Sequence, residues 1–190
     1  MERTLWVLAL VLICLLAAWG LWVGWRHRGN RQGGLAPLPA VPVTPGDVVT
    51  PALKGLYVSS TTARNWQDRI VAQGLGVRAT AIVRLSEDGV LIDREGADPI
   101  FVPVADLVEV TTAPGIAGKV MGQADGILII RWRLGGTELD SGIRADDRDE
   151  QAQFVAAAAG LLDGRRSGDQ GGDQGGDQGG NQAKNKEASA

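Results

Sequence analysis

Few side chains in this sequence have the chemistry for catalysis. His27 is the only histidine and Cys14 the only cysteine. Cys14 lies inside a long apolar run and His27 just after it, so the remainder has neither an imidazole nor a thiol to activate a nucleophile. Asp106 and Asp140 would make a carboxylate site only if a pocket brought them together. The segment Gly115-Ile116-Ala117-Gly118-Lys119 hints at a phosphate loop, but Val120 stands where Ser or Thr is needed and no helical pattern follows. The repeated Asp of the carboxyl-terminal GDQG repeats does not have the spacing of a calcium loop. We therefore expect a protein that is not an enzyme, with no cofactor and no bound metal. The side chains expected to make contacts are Arg64, Trp66 and Lys119, each with a core or loop role as the alternative.

The element that positions everything else is the apolar run Leu5–Trp25, twenty-one residues without a charged group. As a helix it spans roughly 30 Å, one hydrocarbon core. Trp6 marks one end, and Trp19, Trp22 and Trp25 mark the other, where indole rings meet headgroups. The run is expected to be a transmembrane anchor, residues 1–28, with a cleaved secretory signal as the rival reading. A signal core is shorter, about 7–15 residues, and Ala17-Ala18-Trp19-Gly20 is a poor cleavage site. Arg26, Arg28 and Arg31 follow the run, whereas Arg3 before it is offset by Glu2. By the positive-inside rule the amino terminus lies outside and the carboxyl-terminal domain in the cytoplasm, at the plasma membrane. Cys14 has no partner for an intrachain disulfide, which fits that compartment.

Residues 29–53 read as a linker rich in proline and glycine, with Pro37, Pro39, Pro42, Pro45 and Pro51 favouring extended chain. Residues 54–163 read as one domain. From Asp47 to Asp163 there are eleven basic and seventeen acidic side chains, a balance of −6. Phosphate backbones and anionic lipid are repelled by such a surface, so no nucleic acid is expected as a partner.

Within the domain the pattern is of short strands. Gly55–Ser59 is a first strand and Thr61–Gly76 a loop with a short extended piece. Val77–Leu85 alternates, and Asp88-Gly89 signals a hairpin that would set Leu85 opposite Ile92 and Arg84 opposite Asp93. Ile100–Val104 and Asp106–Thr112 are further strands, with Leu107 and Glu109 on one face and Val108 and Val110 on the other. Ala113–Gly126 reads as a flexible glycine-rich connection. Ile127–Leu134 and Thr137–Arg144 form a hairpin about Gly135-Gly136, pairing Arg133 with Glu138, Arg131 with Asp140, Trp132 with Leu139 and Ile130 with Ser141. The carboxylates make Arg131-Trp132-Arg133 a solvated sheet face rather than a nucleic-acid patch. Asp147–Leu162 is an amphipathic helix, capped by Asp147 with Glu150 three residues on and stopped by Gly164. Phe154, Val155, Ala158, Leu161 and Leu162 share its apolar face. Residues 164–190 lack core-forming side chains and read as a disordered Gly/Asp/Gln tail.

About seven strands closed by one carboxyl-terminal helix is the element order of a pleckstrin-homology-like (PH-like), partly open barrel, here preceded by one transmembrane helix. Leu56-Tyr57-Val58, Thr61-Thr62, Trp66-Gln67-Asp68-Arg69-Ile70, Gly74-Leu75-Gly76, Arg131-Trp132 and Leu139–Arg144 resemble a family of single-pass, membrane-anchored bacterial PH-like domain proteins of high-GC bacteria. The resemblance covers Gly55–Leu162 and the anchor. It implies a membrane-tethered interaction or scaffold module, docking an unidentified protein, a copy of itself or a transporter; sensing of the lipid surface is the alternative. It carries over no residue with a chemical role. Phosphoinositide-binding relatives cluster basic residues after the first strand; here only Arg64 and Arg69 flank Asp68, which argues against a phosphoinositide site.

Overall fold

The computed structural model describes Trp6, residues 10–17, Trp19, Gly20, residues 34–120, Gly122 and residues 125–171. Trp6, residues 10–17, Trp19 and Gly20 are helical. The rest of the expected anchor, with Arg26 and Arg28, and the flanking Arg31 lie outside the described residues. Among the described residues no helix is long and apolar enough to cross a membrane.

The centre of the sheet is β1 (Leu53–Thr62), ten residues long rather than the five expected. Its register slips between Tyr57 and Ser59, a bulge that bends the strand. The bend lets one strand serve two halves of the sheet. Leu53–Tyr57 pairs with β3 (Ala79–Ser86), and the far half pairs with the short β2 (Arg69–Ile70). On the other side β10 (Thr137–Ala145) runs along nearly the whole length. Outward from β3 come β4 (Gly89–Arg94) and β5 (Ile100–Pro103); outward from β10 come β9 (Ile127–Leu134) and β6 (Leu107–Ala113). The order is β5-β4-β3-β1-β10-β9-β6, so β5 and β6 end the sheet although only residues 104–106 separate them in sequence. Both halves line one core, in which Val83, Ile92, Trp132, Leu139 and Phe154 are buried together. This is the expected barrel with an open seam.

The β9–β10 hairpin has the expected register at all four pairs. The β3–β4 hairpin does not. Leu85 faces Val90, and Asp93 faces Ile82. The slip is two residues, which keeps every side chain on its face, so alternation alone could not detect it. Arg84 and Asp93 still form an ion pair at 3.2 Å, across the diagonal. Gly89 is held close to Pro103 of β5, and a Cβ there would strike the Val102 carbonyl. In β6 a second bulge falls between Leu107 and Glu109. Leu107 and Val110 are therefore both buried and Glu109 exposed, against the strict alternation expected.

Two connections have more structure than the sequence pattern suggests. The glycine-rich stretch carries β7 (Gly115–Ile116) and β8 (Lys119–Val120), a small hairpin turning at Ala117 and Gly118. Ile116 is buried against Val58, Ile127 and Ile129 on the outer face of the sheet, over Gly142. A Cβ on Gly142 would lie 2.7 Å from the Ile116 side chain. The proline linker is not a free spacer from Leu35 onward: Leu35, Ala36 and Leu38 pack on the core, and Val48 bridges to Ser86.

The helix α1 (Arg148–Gly171) buries Gln151, Phe154, Ala158 and Leu162 on one face. Asp147 Oδ1 accepts the Asp149 and Glu150 amides at 2.8 and 3.0 Å, the expected cap. The expected stop at Gly164 is wrong. Glycine halts a helix by adopting a left-handed φ, and Gly164 stays helical. Arg165 donates to the carbonyls of Val104 and Ala105, which fastens this extra turn to the β5–β6 connection. Residues 172–190, the rest of the expected tail, lie outside the described residues.

Candidate functional site

The three expected contact residues meet in space. After β1 the chain turns at Arg64, whose φ is +65°, and the Arg64 amide donates to Asp140 Oδ2 at 3.3 Å. Thr62 Oγ1 donates to Asp68 Oδ2 at 2.8 Å and closes the loop. The Trp66 carbonyl accepts the Gly118 amide at 3.2 Å, which brings the β7–β8 turn, and with it Lys119, to the loop. Arg64 and Lys119 are exposed; Trp66 is 43% and Val120 65% exposed. The two loops thus bring exposed Trp66 and Val120, and two exposed cations, onto neighbouring segments. Val120 was not foreseen, because only the folded hairpin places it there.

Of the two carboxylates considered from the sequence, Asp140 is committed to an ion pair. Both oxygens of Asp140 are engaged by Arg131, Nε to Oδ1 at 2.8 Å and Nη2 to Oδ2 at 3.1 Å. Arg131 also donates to Glu109 at 3.1 Å. The hydrogen bond to Asp140 is the main reason the Arg131 guanidinium is pushed above its ordinary pKa. A carboxylate so engaged is a structural acceptor, not a general base. Arg133 pairs with Glu138 at 3.5 Å, so the Arg-Trp-Arg segment is an ion-paired sheet face as expected. Among the described residues no group of three His, Cys, Asp or Glu side chains could hold a metal.

Inside the barrel lies a polar cluster that sequence reasoning missed. Tyr57 Oη donates to the Leu75 carbonyl at 2.7 Å and shares a hydrogen bond with Ser60 Oγ at 2.8 Å. Ser60 and Ser141 hydroxyls are 2.6 Å apart, and Trp132 Nε1 donates to Ser141 at 3.0 Å. The Arg94 guanidinium lies 4.9 Å from the centre of the Tyr57 ring and donates to the carbonyls of Gly74 and Asp98. Burial pushes the Tyr57 phenol up to about 12, and burial likewise lowers Arg94 from its ordinary value. Among the described residues the side chains bonded to the two serine hydroxyls are Tyr57, Trp132 and each other, which ties the strands together. Its one sequence signal was polar residues, Ser60 and Ser141, at positions the strand pattern turns inward.

The remaining feature is an edge. β6 ends the sheet, and among the described residues no strand pairs its outer side. Beside it runs α1, and a cleft of about 200 Å³ separates them. Leu107 and Val108 of β6, Arg133 of β9, and Leu162, Arg165 and Arg166 of α1 line it. Arg133 is paired with Glu138 and Arg166 with Asp163, whereas Arg165 is tied to carbonyls only, so its charge is not cancelled by a carboxylate among the described residues. Among the described residues β6 thus has an open strand edge beside a cleft that Arg165 lines.

A bent antiparallel sheet closed by a carboxyl-terminal helix is a PH-like arrangement. The chain belongs to the bacterial PH domain-like family, whose sequence pattern matches residues 35–159. Domains of this kind are in general non-catalytic. The match begins at Leu35, which packs on the barrel, so the docked strap is part of the family unit. No curated protein matches the chain.

Proposed function

We propose that this chain is a non-catalytic, single-pass membrane protein that presents its PH-like domain to the cytoplasm and docks a partner protein through an extended peptide on β6. The observation that carries this reading is the outer side of β6, unpaired among the described residues and walled by α1 and the fixed Arg165. Main-chain bonding along β6 supplies affinity, and Arg165 selects an acid. A transporter in the same membrane is a partner of suitable placement. Anchoring is supported by the uncharged run itself and by Leu10, Leu12, Ile13, Leu15 and Leu16, all more than half exposed on a helical segment.

The test is a photoreactive amino acid at Val108 in the full chain, in cells, with the same probe at exposed Arg84 as reference. Adducts to a defined protein should form at Val108, and Thr111→Pro should abolish them. Equal labelling from both sites, or adducts that survive Thr111→Pro, would remove the reading.

A second reading is contact of the Trp66–Val120 surface with lipid, favoured by exposed apolar side chains beside Arg64 and Lys119. The −6 balance of the domain opposes it. In nanodiscs of the full chain, amide exchange in residues 63–68 and 115–120 should then slow when anionic lipid is added. Unchanged exchange would exclude lipid contact.

A further inference from the structure

The cleft beside β6 is basic in an acidic domain. Three guanidiniums, those of Arg133, Arg165 and Arg166, line it, while residues 47–163 carry a balance of −6. Glu138 offsets Arg133 and Asp163 offsets Arg166, both in solvent-exposed pairs of the kind that contribute little. Arg165 is held differently. Its guanidinium donates to the carbonyls of Val104 and Ala105, which fixes its position and leaves its charge in place. An anion repelled by the rest of the domain is drawn to this point.

The chain itself delivers acids here. α1 forms one wall of the cleft and ends at Gly171, six residues after Arg165 or roughly 9 Å along the helix axis. From Ser167 to Ala183 the sequence holds Asp169, Asp173 and Asp177 and no basic residue. Asp169 is still within α1, four positions after Arg165, an order of charges that pairs weakly on a helix. Asp173 and Asp177 belong to residues 172–183, which lie outside the described residues. Gly171-Gly172 is a point at which the chain can reverse, because glycine takes the left-handed conformation without a Cβ clash. Six extended residues span roughly 20 Å, so Asp177 can return to Arg165 with chain to spare. From Gly172 to Gly180 no side chain is larger than that of Gln, so nothing bulky bars entry to the cleft. The tether makes the encounter intramolecular, and a weak pair is then enough to fill the site.

We propose that the Gly-Asp-Gln-Gly repeats after α1 fold back into the β6 cleft, where Asp173 or Asp177 pairs with Arg165 and competes with the acidic group of a docking partner. The segment is thus a built-in competitor that sets how readily the groove is entered. The inference rests on the docking reading only for what the segment displaces; its contact with the cleft needs no partner.

The experiment uses the full chain, purified alone in detergent, with a photoreactive residue at Val108 in the cleft. Trypsin cuts after Arg166 and Lys184, so adducts to the repeats are read on one peptide. That peptide should be the main adduct, at a yield independent of protein concentration. Asp173→Asn combined with Asp177→Asn should lower the yield about threefold. In cells the same double variant should raise partner adducts at Val108 by a similar factor. A yield that the double variant leaves unchanged would overturn the proposal. So would repeat adducts no more frequent than from a probe at Arg84, or a yield that rises with protein concentration. Partner adducts that the double variant does not raise would overturn the competition. Repeat adducts in the purified chain with no partner adduct in cells would remove the docking reading and leave the contact standing.

Discussion

Tyr57 is the only tyrosine of the chain, and it reports on the barrel interior directly. Its ring is fully buried, and its hydroxyl is held by Leu75 and Ser60. Burial, opposed in part by the Ser60 hydrogen bond and by Arg94, raises its pKa from 10 to about 12. The unfolded chain ionises at the ordinary value. Above that value the unfolded state has lost the proton while the folded state retains it, so the folded state binds more protons and stability falls with rising pH. The contribution is fully present below pH 10 and is lost as pH climbs through about 12. A shift of that size corresponds to roughly 3 kcal/mol at most. Two assays read it. Phenolate absorbance of the folded protein should rise only near the upper value, and together with loss of the fold. Denaturant midpoints should fall across the same window in the wild type and less steeply in Tyr57→Phe. At neutral pH that variant should itself be about 1–3 kcal/mol less stable, since the Leu75 carbonyl and Ser60 lose a buried partner. A phenolate midpoint near the ordinary value in the intact fold would refute the reasoning. Parallel stability profiles for wild type and Tyr57→Phe would do so as well.

Other substitutions test the packing and the caps. Gly142→Ala drives a methyl into Ile116 and should cost about 1–3 kcal/mol; combined with Ile116→Ala, the loss should be smaller than the two separate losses added together, as denaturant melts of the double-mutant cycle would show. Asp140→Asn removes the charge that binds Arg131 through two hydrogen bonds and also weakens the acceptor for the Arg64 amide. It should cost about 1–3 kcal/mol and speed amide exchange at Arg64. Asp147→Ala deletes the acceptor for two helix amides and should lower stability by about 1 kcal/mol, with fraying confined to the first turn of α1 by exchange mass spectrometry.

The legible parts of the fold share a physical cause. The β9–β10 hairpin could be written down residue by residue because a two-residue glycine turn and two opposite-charge pairs agree on one register. The α1 cap was legible because Asp147 and Glu150 act within one turn. The β3–β4 slip was not, since a shift of two preserves every face; what settles it is the close approach of Gly89 to β5. The bulges at Tyr57/Ser59 and Leu107/Glu109 break alternation locally and serve the bend of the sheet, a property of the whole barrel. Of the site, the sequence named Arg64, Trp66 and Lys119 separately, and a hydrogen bond between two loops brings them together.

By itself, then, the sequence determined what local chemistry determines: an uncharged run long enough for a bilayer, a strand-rich acidic domain without histidine or cysteine, and a capped terminal helix. These depend on residue type and on spacings of a few positions. Only the tertiary structure decided which strand edges stay open among the described residues, that Arg165 lines the β6 cleft, and that the proline strap is clasped by Gln73 rather than left as a spacer. Those contacts join residues tens of positions apart, and no local pattern encodes which main-chain atoms a side-chain amide will meet.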